Sequence, residues 1–275
     1  MNILVTGAQG QLGRALHATL ASHELVALPR GGLDIADLDA VREVVRMHRP
    51  DLIINAAANN RVDDAEADAT AAYRGNALGP RNLALASADI GIPLLHVSTD
   101  YVFDGCATRP YHEFDRPDPQ SAYGRSKLAG EQAVRELNPR HYLVRTAWVY
   151  DAQGSNFPRT ILSLAARPEV RVVDDQTGSP TYAPHLAAAI ARLIPSAAFG
   201  TYHFAGQGAV TWYGLTRKLY ELRGIATPLI PVTTEEFPRP APRPRYSVLT
   251  TLQEPRIVLP PWQDGLADFC RALDV

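Results

Sequence analysis

The chain has 275 residues, a formal net charge of −2 and two cysteines. Its length suits one large α/β unit or a core with a smaller appendage. Because the charges balance, neither nucleic acid nor an anionic membrane is expected as the main partner. Cys106 and Cys270 stand outside any Cys/His cluster, which argues against a disulfide framework and a structural zinc site and fits a cytoplasmic location. We expect neither a signal peptide nor a membrane span.

Short apolar runs in the first half of the chain alternate with segments that are compatible with helices. The predicted strands are 3–5, 25–28, 52–54, 94–97 and 142–144. This alternation predicts an α/β fold with a Rossmann-type, doubly wound parallel sheet and helices on both faces. In such a sheet, ligands bind at the carboxyl ends of the strands.

The pattern loosens after residue 154. Segments 157–166 and 184–194 are helix-like, 170–173 is strand-like, and 262–273 is expected to form a closing helix. The many prolines of segment 228–244 argue against a central strand or a long helix there. We therefore expect an NAD(P)-binding domain over 1–153 and a smaller, mainly substrate-binding α/β region over 154–275, part of which returns to the Rossmann core.

A glycine-rich loop follows the first predicted strand and leads into a helix. Gly7 allows a tight turn, Gly10 lets the backbone approach a pyrophosphate, and Gly13 permits close helix packing. The N-terminus of the helix offers free amides to the anion. We therefore predict a dinucleotide site, with cofactor contacts from Gly7, Gln9, Gly10, Gln11, Leu12 and Gly13.

The end of the second predicted strand favours NADPH over NADH. NAD-preferring sites commonly carry an acid there, whereas this chain has Arg30, whose planar guanidinium suits a 2′-phosphate. An exposed loop arginine is the plainer alternative. Later loop residues at the same sheet edge are further candidates for cofactor contacts, although ordinary loop packing explains them equally well. These are Asp34, Ile35, Ala56, Ala57 and Ala58.

A second group of reactive side chains lies downstream. Thr99 follows the fourth predicted strand, on the same sheet edge as the glycine loop. Tyr123 and Lys127 share one face of a predicted helix, and a neighbouring ammonium lowers the pKa of a phenol. Together they suggest ketone reduction, in which Thr99 holds the carbonyl oxygen and Tyr123 protonates it while a nicotinamide delivers hydride. The alternative is a loop-capping hydroxyl and a surface Tyr/Lys pair.

These motifs resemble the extended short-chain dehydrogenase/reductase family, through the glycine loop, Asn55-Ala-Ala-Ala58, Thr99 and Tyr123-x-x-x-Lys127. Within that family, several longer runs are similar to those of the dTDP-4-dehydrorhamnose reductases, and they span nearly the whole chain. These runs are 98–105, 123–131, 145–150, 175–181, 211–213 and 243–249.

The resemblance implies reduction of the C4 ketone of dTDP-4-dehydro-6-deoxy-L-mannose to dTDP-L-rhamnose by a reduced nicotinamide. It implies that Tyr123 is the acid, that Lys127 binds the nicotinamide ribose and lowers the pKa of Tyr123, and that Thr99 binds the carbonyl oxygen. Asn76 falls where the family carries a structural or proton-relay asparagine, and we count it, like Tyr123 and Lys127, among the expected cofactor contacts. Implied substrate contacts are Asp100, Tyr101 and Trp148 for the sugar, and Asn156, Gln176, Arg243 and Ser247 for the nucleotide and its diphosphate.

The chain departs from the family pattern at two places. Asn59-Asn60-Arg61 replaces the usual tyrosine, threonine and small residue, so the sugar and its nucleotide carrier stay open. Ala15 stands where some members place an acid for an interface magnesium ion, and we expect no required metal. The alternatives are another nucleotide-sugar ketoreductase, an NAD-retaining epimerase or dehydratase, and a non-catalytic NADP-binding regulatory subunit. We expect a dTDP-ketosugar as partner and a monomer or homodimer.

Overall fold

Strands and helices alternate through the first half of the chain and become shorter and less regular afterwards. A computed structural model describes residues 1–274. Its strands are β1 (Asn2–Thr6), β2 (Glu24–Leu28), β3 (Leu52–Asn55), β4 (Leu94–Thr99), β5 (His141–Thr146), β6 (Val149–Tyr150), β7 (Val170–Val173), β8 (Thr177–Gly178), β9 (Thr181–Tyr182), β10 (Gly200–His203), β11 (Val210–Thr211) and β12 (Leu229–Val232).

Helices connect several of these strands. They are α1 (Gln11–Thr19), α2 (Leu38–His48), α3 (Asp64–Ala67), α4 (Ala69–Tyr73), α5 (Gly79–Asp89), α6 (Ala122–Leu137), α7 (Phe157–Leu164), α8 (Ala183–Leu193), α9 (Trp212–Arg223) and α10 (Trp262–Leu273). A π-helical turn over Arg74–Leu78 joins α4 to α5. Among residues 1–274, no helix is long and apolar enough to cross a membrane.

The central sheet has the strand order β2-β1-β3-β4-β5-β10, and every neighbouring pair is parallel. The chain leaves β1 first toward β2 and then, on the other side, toward β3. A crevice therefore opens between the carboxyl ends of β1 and β3, where doubly wound folds bind their ligands. This topology confirms the predicted Rossmann-type fold.

Helices cover both faces of the sheet, which explains the continuous apolar runs within β1, β2 and β3. On one face, α1 and α8 pack through Leu16 and Ile190 against Ile3. On the other, α2, α5 and α6 pack on the sheet through a second cluster. Burial on both faces holds the carboxyl ends of the strands in fixed positions.

The second half of the chain builds a further core and also extends the central sheet. The parallel pair β7 and β12 packs with α7, α9 and α10 around Leu215 and Phe269. β12 lies inside the proline-rich segment 228–244, where it forms part of a two-stranded sheet rather than a central strand. β10 joins the central sheet beside β5, and α8 packs on α1. A domain division at residue 153 stays a prediction.

Candidate active site

A cavity of about 740 Å³ lies at the carboxyl edge of the central sheet. Its size falls within the range of small-ligand pockets, roughly 300–1,000 Å³. The predicted site residues that line it are Gly10, Gln11, Leu12, Ala56, Ala58, Thr99, Asp100, Tyr101, Tyr123, Lys127, Trp148, Asn156, Gln176 and Arg243. Those that lie outside its lining are Gly7, Gln9, Gly13, Arg30, Asp34, Ile35, Ala57, Asn76 and Ser247.

The glycine loop leaves no room for side chains where the chain turns from β1 into α1. Gly7 has a φ of 72°, and a Cβ there would lie 2.6 Å from the amide nitrogen of Ala57. A Cβ on Gly13 would lie 2.7 Å from the carbonyl carbon of Ala8. No side chain among residues 1–274 caps α1, whose first turn lines the cavity. The loop therefore fits a pyrophosphate bound by backbone amides.

The segment after β2 is held by protein contacts outside the cavity lining. Arg30 is exposed, and the side chain of Ile35 is buried. Asp34 accepts a hydrogen bond from the guanidinium of Arg74 at 2.9 Å, and this bond lowers the pKa of Asp34. Arg30 and Arg74 thus both lie near Asp34, in the segment after β2, the strand beside which dinucleotide folds bind the adenosine ribose. Arg74 was not predicted because it belongs to the π-helical turn, 40 residues after Asp34 in the sequence.

Asn76 is fully buried, and its side chain forms hydrogen bonds with the loop that follows β3. Its Oδ1 accepts from the Asn59 amide at 2.7 Å, while its Nδ2 donates to the Asn59 carbonyl and to Ser126 Oγ, both at 3.0 Å. Both the oxygen and the nitrogen of the Asn76 carboxamide therefore have partners within the protein. The arrangement favours the structural role among the two that the resemblance implied, rather than direct contact with a cofactor.

Helix α6 carries Tyr123 and Lys127 four residues apart, in the predicted helix, and both side chains are buried. Ser121 caps the helix by accepting from the Gly124 amide at 3.0 Å. Glu66 of α3 accepts from the Ala122 amide at 2.7 Å. Two independent contacts therefore fix the first turn, and with it the position of the Tyr123 phenol.

Burial raises the pKa of Tyr123 above its ordinary value. Lys127 is also buried, which lowers the pKa of its ammonium to about 8, although the Glu131 carboxylate opposes that shift. The Lys127 Nζ donates to the Val97 carbonyl at 2.7 Å. Desolvation and the nearby Asp100 carboxylate raise the Tyr123 pKa, whereas a hydrogen bond with Thr99 opposes the shift, so the lowering by Lys127 that the resemblance implies stays a prediction. The high pKa keeps Tyr123 protonated at neutral pH, which is the state that a general acid needs.

Thr99 lies at the end of β4, facing the same cavity. Its hydroxyl donates to Asp100 Oδ1 at 3.0 Å and accepts from the Tyr101 amide at 3.2 Å. Burial raises the pKa of Asp100 to about 6, against hydrogen bonds from Ser247 and Thr99. Ser247 is buried near Asp100 and lies outside the cavity wall. The ring of Tyr101 meets that of Tyr123 edge-on, with centroids 5.5 Å apart.

Stacked aromatic rings form the part of the cavity built by the second half of the chain. Trp148 has a φ of 47°, a costly conformation outside glycine, and stacks on Trp212 with centroids 3.4 Å apart. A Cβ on Gly178 would lie 2.5 Å from Cε2 of Trp148, so only glycine leaves room for this indole. Gln176 accepts from the Trp212 Nε1 at 3.2 Å. Trp148 and Gln176 were predicted; Trp212 and Gly178 were not assigned a role.

Arg243 and Asn156 form hydrogen bonds at the cavity with residues that are far from them in the sequence. Arg243 Nη2 donates to Asp63 Oδ1 at 2.8 Å, whereas its buried Nη1 has no hydrogen-bond partner within residues 1–274. Asn156 caps α7 and donates through Nδ2 to Gln11 Oε1 at 2.9 Å. The free guanidinium nitrogen suits an anion such as a diphosphate.

Comparison with known proteins decides the family. The model of the RmlD substrate binding domain matches residues 1–275. The chain belongs to this family. This confirms the family resemblance seen in the sequence.

Individual members of this family are similar over nearly the whole chain. The dTDP-4-dehydrorhamnose reductase of Mycobacterium tuberculosis is 44% identical over 278 residues, covering 96% of this chain and 91% of that one. The dTDP-4-keto-6-deoxy-D-glucose reductase of Streptomyces niveus is 46% identical over 251 residues, covering 90% of this chain and 87% of that one.

Two solved structures of dTDP-4-dehydrorhamnose reductases are also close. The protein from Clostridium acetobutylicum superimposes with a TM-score of 0.98 at 41% identity and covers 100% of both chains. The protein from Bacillus anthracis, in complex with NADP, has a TM-score of 0.94 at 39% identity and covers 98% of this chain and 99% of that one.

Proposed function

We propose that the chain is an NADPH-dependent oxidoreductase that reduces the C4 ketone of dTDP-4-dehydro-6-deoxy-L-mannose (dTDP-4-dehydrorhamnose) to dTDP-L-rhamnose. One observation carries the proposal: Tyr123, Lys127 and Thr99 share a single cavity with the first turn of α1. The relative from M. tuberculosis, named for this reaction, supports the choice of sugar. NADH is the alternative cofactor.

The residues of the glycine loop fit a dinucleotide. Gly10, Gln11 and Leu12 would hold its pyrophosphate, and Ala56 and Ala58 leave space beside it. The NADP complex of the B. anthracis relative supports the same cofactor here. When bound, a reduced nicotinamide supplies the hydride for a carbonyl carbon.

Tyr123 is the residue that donates the proton. Its hydroxyl, kept protonated by burial, donates to the carbonyl oxygen as that oxygen gains charge. The Thr99 hydroxyl orients the same oxygen. Lys127, charged at neutral pH, stabilises the phenolate that Tyr123 becomes. The indole of Trp148 offers an apolar surface to the deoxysugar, and Arg243 offers its free nitrogen to the diphosphate.

A second candidate substrate is dTDP-4-keto-6-deoxy-D-glucose, which the 46% identity to the S. niveus reductase favours. The test incubates the protein with each ketosugar and with NADPH or NADH, and identifies the product by NMR. We expect dTDP-L-rhamnose as the main product, and almost none from Tyr123→Phe. The proposal fails if neither sugar is reduced or if Tyr123→Phe keeps most of the activity. A stable heteromeric partner without turnover would favour a regulatory subunit.

The location and assembly of the protein are proposals as well. Cys106 and Cys270 are both free thiols, which supports a cytoplasmic location. Size-exclusion chromatography with light scattering would distinguish the expected monomer or homodimer from a larger assembly.

A further inference from the structure

The turn formed by Asn59, Asn60 and Arg61 is fixed by hydrogen bonds at each position. Asn59 is held through both its amide and its carbonyl by the buried side chain of Asn76. The Asn59 Oδ1 accepts from the Arg61 amide at 3.2 Å, and the Asn60 carbonyl accepts from the Val62 amide at 3.0 Å. The backbone of Asn60 is therefore held in place before any ligand binds.

The side chains of this turn point in different directions. Arg61 extends into solvent, with 77% of its side chain exposed and only a 3.8 Å approach to Asp64. Asn60 lines the cavity, where its Oδ1 accepts from the Tyr123 hydroxyl at 3.5 Å. A carboxamide carries two N–H donors and an acceptor with two lone pairs. One long bond leaves most of that capacity for a ligand.

We propose that Asn60 is a specificity-determining residue that hydrogen-bonds the sugar hydroxyl next to the carbonyl being reduced. The inference rests on the proposed function. The carbonyl oxygen must lie about 2.6–3.2 Å from the Tyr123 hydroxyl to receive its proton. Because Asn60 lies 3.5 Å from that hydroxyl, its carboxamide reaches substituents on the adjacent carbon.

The chemistry of the sugar identifies the hydroxyl. In a 4-keto-6-deoxysugar, C5 carries the methyl group and the ring oxygen, whereas C3 carries a hydroxyl. The C3 hydroxyl is therefore the group that Asn60 binds. A sugar without it would leave the carboxamide desolvated and unpaired, and sites built to bind a hydroxyl reject analogues that lack it.

The test compares kcat/KM for the 4-ketosugar and for its 3-deoxy analogue in three proteins. Wild-type protein should prefer the hydroxylated sugar by about 100-fold or more. Asn60→Ala should reduce that preference by about 10-fold, the effect of one hydrogen bond. Arg61→Ala, a neighbour whose side chain lies in solvent, is the control and should keep the preference.

The outcomes separate the inference from the proposed function. If Asn60→Ala slows both sugars by the same factor, Asn60 only orients Tyr123 and the inference is wrong. Asn60→Asp keeps an acceptor of the same shape, so it should retain part of the preference even if its charge slows both reactions. If wild-type protein reduces neither sugar, the proposed function fails and the inference fails with it.

Discussion

Removing the charge of Glu131 should cost the protein a large part of its stability. Glu131 is fully buried and accepts from Arg145 Nε at 2.8 Å and Nη2 at 2.7 Å. Arg145 is itself only 1% exposed. Glu131→Gln therefore leaves a buried guanidinium without its counter-charge, which typically costs about 3–5 kcal/mol. Proteins are stable by only about 5–15 kcal/mol, so this is a large fraction.

Thermal unfolding by circular dichroism measures this effect. At about 2 °C per kcal/mol for a large domain, Glu131→Gln should lower Tm by about 6–10 °C. Glu136→Gln, an exposed position on the same helix, is the matched control and should change stability by less than about 0.5 kcal/mol. The double variant Glu131→Gln/Arg145→Met removes both charges and should be more stable than Glu131→Gln alone. Equal Tm values for Glu131→Gln and Glu136→Gln would refute the reasoning.

Two other changes test the active site. Gly178→Ala places a methyl group 2.5 Å from the Trp148 indole and should displace that ring. We expect kcat/KM for the ketosugar to fall about tenfold or more and the tryptophan fluorescence to change. Unchanged kinetics would show that catalysis does not need the stack of Trp148 on Trp212. Burial lowers the pKa of Lys127 in the ligand-free protein to about 8, so the ammonium is present below that pH and lost above it. We therefore expect kcat/KM to fall as pH rises through about 8, and a flat profile to pH 10 would contradict this.

Local patterns in the sequence account for most of the scaffold. The apolar runs that became β1 to β5 and the glycines before α1 are signals carried by adjacent residues, so they could be identified without tertiary contacts. The strand β10 was missed because Gly200–His203 is short and is defined by its pairing with β5, some 60 residues earlier. The two-residue strands depend on pairing in the same way.

The candidate site could be predicted where function depends on residue type and not where it depends on contact. Thr99, Tyr123 and Lys127 were recognisable from their spacing and chemistry. The partners of Asn76 and Ser247 were not, because Ser126 and Asp100 lie far away from them in the sequence. The same applies to the stack on Trp212 and to Asn60, whose contact with Tyr123 spans 63 positions.

Isotope transfer tests the central claim most directly. NADPH that carries deuterium at the transferable position of its nicotinamide is incubated with dTDP-4-dehydro-6-deoxy-L-mannose, and the product is analysed by NMR and mass spectrometry. A C4 reductase places one deuterium on C4 of the sugar and forms one NADP⁺ for each sugar reduced. An epimerase or dehydratase that keeps its cofactor and returns the hydride would give no net cofactor oxidation, and that result would contradict the account.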